Sequence, residues 1–167
     1  MHRFSCLLIV ALAVVFLPFL RLAAEDGANV PERLAVGGVV PALAGKDQHG
    51  QDCAITDDLR WILVACEMEP SKSLSGWLAK QGAEYLPVRK ALFIADVYPM
   101  PSIGRMFAFP KMRRYPHRIM LADEEHLLDP FPRQPGKITV LRLDPGRKIV
   151  EIRYWEAADG APLPDQP

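Results

Sequence analysis

Trp61-Ile-Leu-Val-Ala-Cys66, a short polar interval, and Ser71-Lys-Ser-Leu-Ser-Gly-Trp-Leu78 form the stretch that decides the fold of this chain. The first run is apolar without alternation, as a strand buried on both faces should be. The second carries a 3.6-residue period that puts Leu74, Trp77, Leu78 and Tyr85 on one side of a helix over 73–86, ended by Pro87. Ser71 and Ser73 are both suitable N-caps for that helix. A helix start presents unpaired N–H groups and the positive end of the macrodipole, so a thiol placed there is acidified. A serine hydroxyl there stays protonated and, without an adjacent base, is a cap and not a nucleophile. Cys66 stands upstream, at the strand end, where a small apolar core residue is the simpler reading.

Downstream, Ala91-Leu-Phe-Ile-Ala95 repeats the buried-strand pattern and ends on Asp96. Strand, helix and strand in this order predict a parallel pair joined by a crossover helix. Residues 102–115 read as a second helix with Ile103, Met106, Phe107 and Met112 on an apolar side, kinked or split at Pro110. Arg118-Ile-Met-Leu121 is a short strand, and 129–135, with three prolines, is irregular. Residues 137–143 and 148–155 alternate around Asp144-Pro-Gly-Arg147 and predict an antiparallel hairpin. Upstream, Asp47-Gln-His-Gly50 turns between two short extended pieces.

The chain begins with His2 and Arg3, an apolar run from Phe4 to Leu20, and Arg21-Leu-Ala-Ala24 before acidic Glu25. That is the pattern of a secretory signal peptide over residues 1–24, with an uncleaved anchor as the rival reading. Cys6 lacks the small residues of a lipid-attachment site. Removing the leader leaves about 143 residues, one domain's worth, nearly neutral and with no charge excess calling for nucleic acid. The expected organisation is a signal peptide (1–24), a flexible lead-in (25–35), one folded domain (36–155) and a loose tail (156–167). The expected address is periplasmic or secreted, with membrane contact only through the leader before cleavage.

Several segments resemble known proteins. Val36-Gly-Gly-Val-Val-Pro41 with the following turn resembles the lead-in of peroxiredoxin-like and related thioredoxin-like proteins. Pro135, just before the strand at Ile138, matches the place where the thioredoxin fold carries a cis-proline facing its active site. Pro101-Ser-Ile-Gly-Arg-Met-Phe107, Arg114-Tyr-Pro116 and Arg118-Ile-Met-Leu-Ala-Asp123 are similar to exported YtfJ-type proteins, a thioredoxin-like branch. The resemblance spans roughly 36–155. It implies an α/β thioredoxin-like three-layer fold: a central mixed β-sheet flanked by helices, with a C-terminal antiparallel hairpin. It also implies a reactive cysteine around Pro70 to Leu74, where this chain has none.

A dithiol–disulfide cycle needs two exchangeable sulfurs. The expectation is therefore a redox-inactive protein without a cofactor, acting as a binding or accessory module for an envelope partner through Ser71, Ser73 and Pro135. The alternatives are a thiol peroxidase or reductase using Cys66, and a copper-handling protein using Cys66, Met68 and His117, since thiolate and thioether suit Cu(I). Cys53 and Cys66 are not a C-x-x-C pair, and sequence leaves open whether they are bonded. Residues 97–122 contain no acid but carry Arg105, Lys111, Arg113, Arg114 and Arg118. They are a candidate surface for an anionic partner or acidic lipid headgroups, against the alternative of a solvated helix face whose aromatics are core.

Overall fold

The strand at Trp61–Ala65, β3 in chain order, is buried at every residue. Its side chains alternate. Trp61, Leu63 and Ala65 join one apolar cluster, and Ile62 and Val64 join another on the opposite face. Around it runs a seven-stranded mixed sheet in the order β2-β1-β5-β4-β3-β6-β7. The strands are β1 Ala44–Asp47, β2 Asp52–Ala54, β4 Ala91–Asp96, β5 Met120–Ala122, β6 Ile138–Asp144 and β7 Lys148–Trp155. In this computed structural model, residues 33–164 are described. The expected signal peptide, and the lead-in before Arg33, lie outside them.

β3, β4 and β5 run parallel, and the remaining pairs are antiparallel. The crossovers are helical: α1 Met68–Gln81 and α2 Tyr85–Val88 join β3 to β4, and α3 Ser102–Met112 joins β4 to β5. The β6–β7 hairpin forms where its alternation placed it, with Gly146 (φ 78°) and Arg147 (φ 66°) making the turn.

The helix boundaries differ from those expected. α1 begins at Met68, so Ser71 and Ser73 lie inside it and neither caps it; Glu67 holds the cap position. Pro70 is tolerated because the first turn of a helix has no N–H to lose. The stop comes at Gly82 (φ 89°), ahead of Pro87, which sits inside the separate turn α2. α3 is not split at Pro110: the proline lies in the last turn, where it forfeits a single bond. Its expected apolar side also divides. Phe109, Met112 and Tyr115, just past the helix, pack against the core. Ile103, Met106 and Phe107 point outward, Phe107 at 74 % exposure.

The layers are unequal. Leu74 and Leu78 of α1, Tyr85 and Leu86 of α2, and Phe109 and Met112 of α3 join the cluster containing Leu63. The opposite cluster contains no helical residue. It is closed by Leu34, Val40 and Leu43 from the N-terminal side and by Leu127, Leu128 and Phe131 from the loop after β5. The described residues that close this face are irregular chain. The tail expected to be loose is tied down as far as Pro164. A 3₁₀ turn spans Ala157–Asp159, Trp155 Nε1 donates to the Gly160 carbonyl at 3.0 Å, and Leu163 is buried against the helical layer. Two prolines and an aspartate mask that anchor in the sequence, because one buried leucine carries no periodicity.

Candidate functional site

The parallel register Ala65↔Ala95 brings the carboxyl ends of β3 and β4 together, so Cys66 and Asp96 emerge side by side. In open α/β sheets this end of the strands is where crevices form. Here the first turns of α1, the loop after β4 and the C-terminal half of α3 wall a cleft of about 230 Å³. Cys66, Met68, Ser71 and Lys111 all line it, so four of the candidates from sequence are brought together. Asp96, Met100, Met112 and Tyr115 line it as well. Sequence marks Met112 only as part of the apolar side of the second helix and gives no signal for Met100, which precedes α3.

Ser73 does not face this cleft. It borders a second hollow of about 170 Å³ with Glu67, Gly136 and Trp155. The Glu67 carboxylate accepts a hydrogen bond from the Gly136 N–H at 3.1 Å, which ties the α1 start to the loop before β6. Pro135 precedes that glycine, and no peptide bond among the described residues is cis. The expected cis-proline is therefore trans here.

The Cys66 thiol is half-buried, and burial pushes its pKa above the ordinary value. The Arg133 guanidinium offsets part of this, but the carboxylates of Asp96, Glu67 and Asp129 add to the rise. Asp96 is itself raised by burial, against the Tyr98 N–H that donates to it at 3.1 Å. Cys53 and Cys66 are both free. β2 lies four strand spacings from β3, on the order of 19 Å, while a disulfide needs Cα atoms within about 7 Å.

His117 does not join Cys66 and Met68. Its ring is buried at 1 % exposure, stacked on Tyr115 at 5.2 Å and near Phe93 at 6.2 Å, and neither ring nitrogen has a hydrogen-bond partner among the described residues. Among the described residues no group of three His, Cys, Asp or Glu side chains is arranged to hold a metal ion.

The basic segment is largely committed to the fold. Arg105 donates to the carbonyls of Met100 and Tyr98, both at 3.1 Å, and Arg113 to that of Gln48 at 3.1 Å. Arg118 Nε pairs with the buried Asp47 carboxylate at 2.8 Å. Among the described residues Lys111 and Arg114 make no such bonds. Burial alone would raise the Asp47 pKa. The N–H groups of Gln51 and His49 (2.9 Å each) and Arg118 outweigh it and hold the carboxyl below its usual range. Asp47→Ala strands these donors and is expected to cost about 2 kcal/mol, discounted because Arg118 is half in solvent. Urea unfolding at neutral pH checks it; a change within about 0.5 kcal/mol, the level of an ordinary surface substitution, would show the pair to be incidental.

No protein-family model matches this chain, and no curated protein does. Solved structures do. One is a crystal structure described as a thiol:disulfide interchange protein, DsbE, from Chlorobium tepidum. It is 14 % identical, covers 75 % of this chain and 90 % of its own, and has a TM-score of 0.53. Another is a peroxiredoxin-like protein from Aquifex aeolicus, 11 % identical, covering 75 % and 78 %, with a TM-score of 0.50. The fold is thioredoxin-like. At these identities the likeness carries the fold alone. In this thioredoxin-like domain, the stretch 70–74, where the resemblance implies a reactive cysteine, forms the first turns of α1 and holds none. Among the described residues no helix is long and apolar enough to cross a membrane.

Proposed function

We propose that this chain is an exported, redox-inactive thioredoxin-like protein that serves as a binding or accessory module for an envelope partner. The supporting observation is the cleft at the ends of β3 and β4. Its one sulfhydryl is disfavoured as a thiolate by burial and by three carboxylates, and the other described cysteine is across the sheet. A nucleophilic or exchanging cysteine needs the reverse, a stabilised thiolate and a partner sulfur. The apolar cleft, with Ser71 and Lys111 at its walls and Arg114 near the end of α3, suits capture of a ligand or a partner segment. Export rests on the signal-like residues 1–24.

The test is the rate of alkylation of Cys66 as a function of pH, with Cys66→Ser as the blank. The inflection is expected above that of free cysteine, about 8.5. An inflection below about 7, accompanied by peroxide turnover that vanishes in Cys66→Ser, would replace this reading with the thiol-peroxidase one.

A further inference from the structure

Among the described residues, α3 is the α-helix with no buried residue. Ile103, Met106 and Phe107 stand 65 %, 64 % and 74 % exposed and, with exposed Pro110, follow an i, i+3, i+4, i+7 spacing. All four therefore lie on one stripe, turned away from the side where Phe109 and Met112 meet the core. We infer that this outward face of α3 docks on an anionic lipid surface, the apolar stripe entering the headgroup region and the cations beside it meeting the lipid charges. The inference goes beyond the binding reading of the cleft and does not depend on whether Cys66 is inert. It places a membrane contact on the folded domain, in addition to the one expected of the leader.

A lone exposed apolar side chain is ordinary, but three large ones side by side on one helix mark a contact surface. Charge says what covers it. Residues 97–122 hold five lysines and arginines and no acid. Arg105 and Arg118 are committed to carbonyls and to Asp47. Lys111 and Arg113, both exposed, fall on the two flanks of the stripe at 3.6 residues per turn, and exposed Arg114 follows in the turn beyond the helix. Among the described residues the side chains of Lys111 and Arg114 have no partner, and Arg113 gives its Nε to the Gln48 carbonyl. An apolar stripe flanked by cations is the pattern of an interfacial helix, in which the long basic side chains keep their charge at the aqueous edge. One acid stands nearby: Glu125 hydrogen-bonds the Tyr98 hydroxyl. Tyr98 precedes the N-terminal end of α3, whereas these cations stand at its C-terminal end.

Shape favours lipid over protein. A helix without a buried residue presents a ridge, roughly 16 Å long at 1.5 Å per residue. A stable protein interface takes about 800 Å² from each partner, more than one ridge of three large side chains supplies. A lipid surface closes around such a ridge without needing a matching groove.

The experiment is hydrogen–deuterium exchange of the full chain, read on the amides of α3. It compares vesicles of phosphatidylglycerol and phosphatidylcholine in equal parts with vesicles of phosphatidylcholine alone. The local readout separates α3 from the apolar leader, which partitions into either vesicle. The anionic vesicles are expected to slow exchange in α3 about 10-fold and the neutral ones to leave it unchanged, with β3 and β4 alike in both. Phe107→Ser is expected to abolish the slowing, and Lys111→Gln and Arg114→Gln to reduce it about five-fold each. All three residues are exposed, so these variants keep the fold, and unchanged exchange in β3 and β4 confirms it. No slowing, equal slowing by both vesicles, or slowing that survives Phe107→Ser would each overturn the inference. So would equal slowing by polyglutamate, which marks an acidic protein partner, or by raised protein concentration without vesicles, which marks a second copy of the chain.

Discussion

Phe131→Ala is expected to destabilise the protein by about 3–5 kcal/mol, the cost of emptying a large aromatic site in a packed core. Phe131 is fully buried although it stands in a proline-rich segment with no regular structure. It closes the face of the sheet that no described helix covers, in the same cluster as Ile62, Val64, Ile94 and Leu128. Its backbone is fixed by its own N–H to the Leu128 carbonyl at 3.0 Å and by the neighbouring Pro132 carbonyl, which accepts from the Thr139 hydroxyl of β6. Relaxation into the cavity is therefore limited, and the loss belongs at the upper end of the range for truncated core residues. Set against a typical domain stability of about 5–15 kcal/mol, such a loss lowers the melting temperature by roughly 10 °C. Phe107→Ala is the contrast: that ring is mostly in solvent and its removal is expected to change stability by less than about 0.5 kcal/mol. Equal effects from the two substitutions in urea unfolding would show that irregular chain is not the second core wall.

The second large effect is acid destabilisation through His117. Burial lowers its pKa from 6.5 to about 4, and its neighbours in the core are the rings of Tyr115 and Phe93. The folded state therefore keeps this ring neutral while the unfolded chain takes up a proton below about pH 6.5. Stability from this residue is complete above pH 6.5 and falls as the pH drops toward 4, by about 3 kcal/mol in all. His117→Phe keeps the stacking and removes two buried nitrogens that have no partner. It is expected to raise stability at pH 5 and to flatten the slope between pH 6.5 and 4. Asp47 acts in a lower window. Its depressed carboxyl holds its contribution down to about pH 4 and loses it only as the pH falls further. A His117→Phe variant that retains the full slope above pH 4 would place the acid-sensitive group elsewhere.

The two predictions mark where sequence reading ran out. β3, β4 and the hairpin were legible because a strand buried on both faces shows an unbroken apolar run and a half-buried strand alternates. The first helix lies five residues earlier than expected, at 68–81 against 73–86, because serine, glycine and proline signals compete over residues 67–87 and the positive φ of Gly82 ends it. The basic segment reads from sequence either as a docking surface or as a solvated helix face with core aromatics. Three of its arginines bond carbonyls or a carboxylate, partners up to 71 residues away in the chain, which sequence does not show.

The candidate site divides in the same way. Cys66, Ser71 and the absence of a cysteine at 70–74 could be read off the chain, since each is a local fact about residue type beside a strand end. The cleft itself could not, because its walls come from residues 66–75 and 95–115 and meet only through the parallel register of β3 and β4 and the return of α3. Local pattern settled which segments are buried, since burial at period two or 3.6 is written in neighbouring residues. Which polar groups are satisfied, which proline-rich loop becomes core, and which side chains share a cavity were decided by long-range pairing. Its free energy depends on contacts that no window of sequence contains.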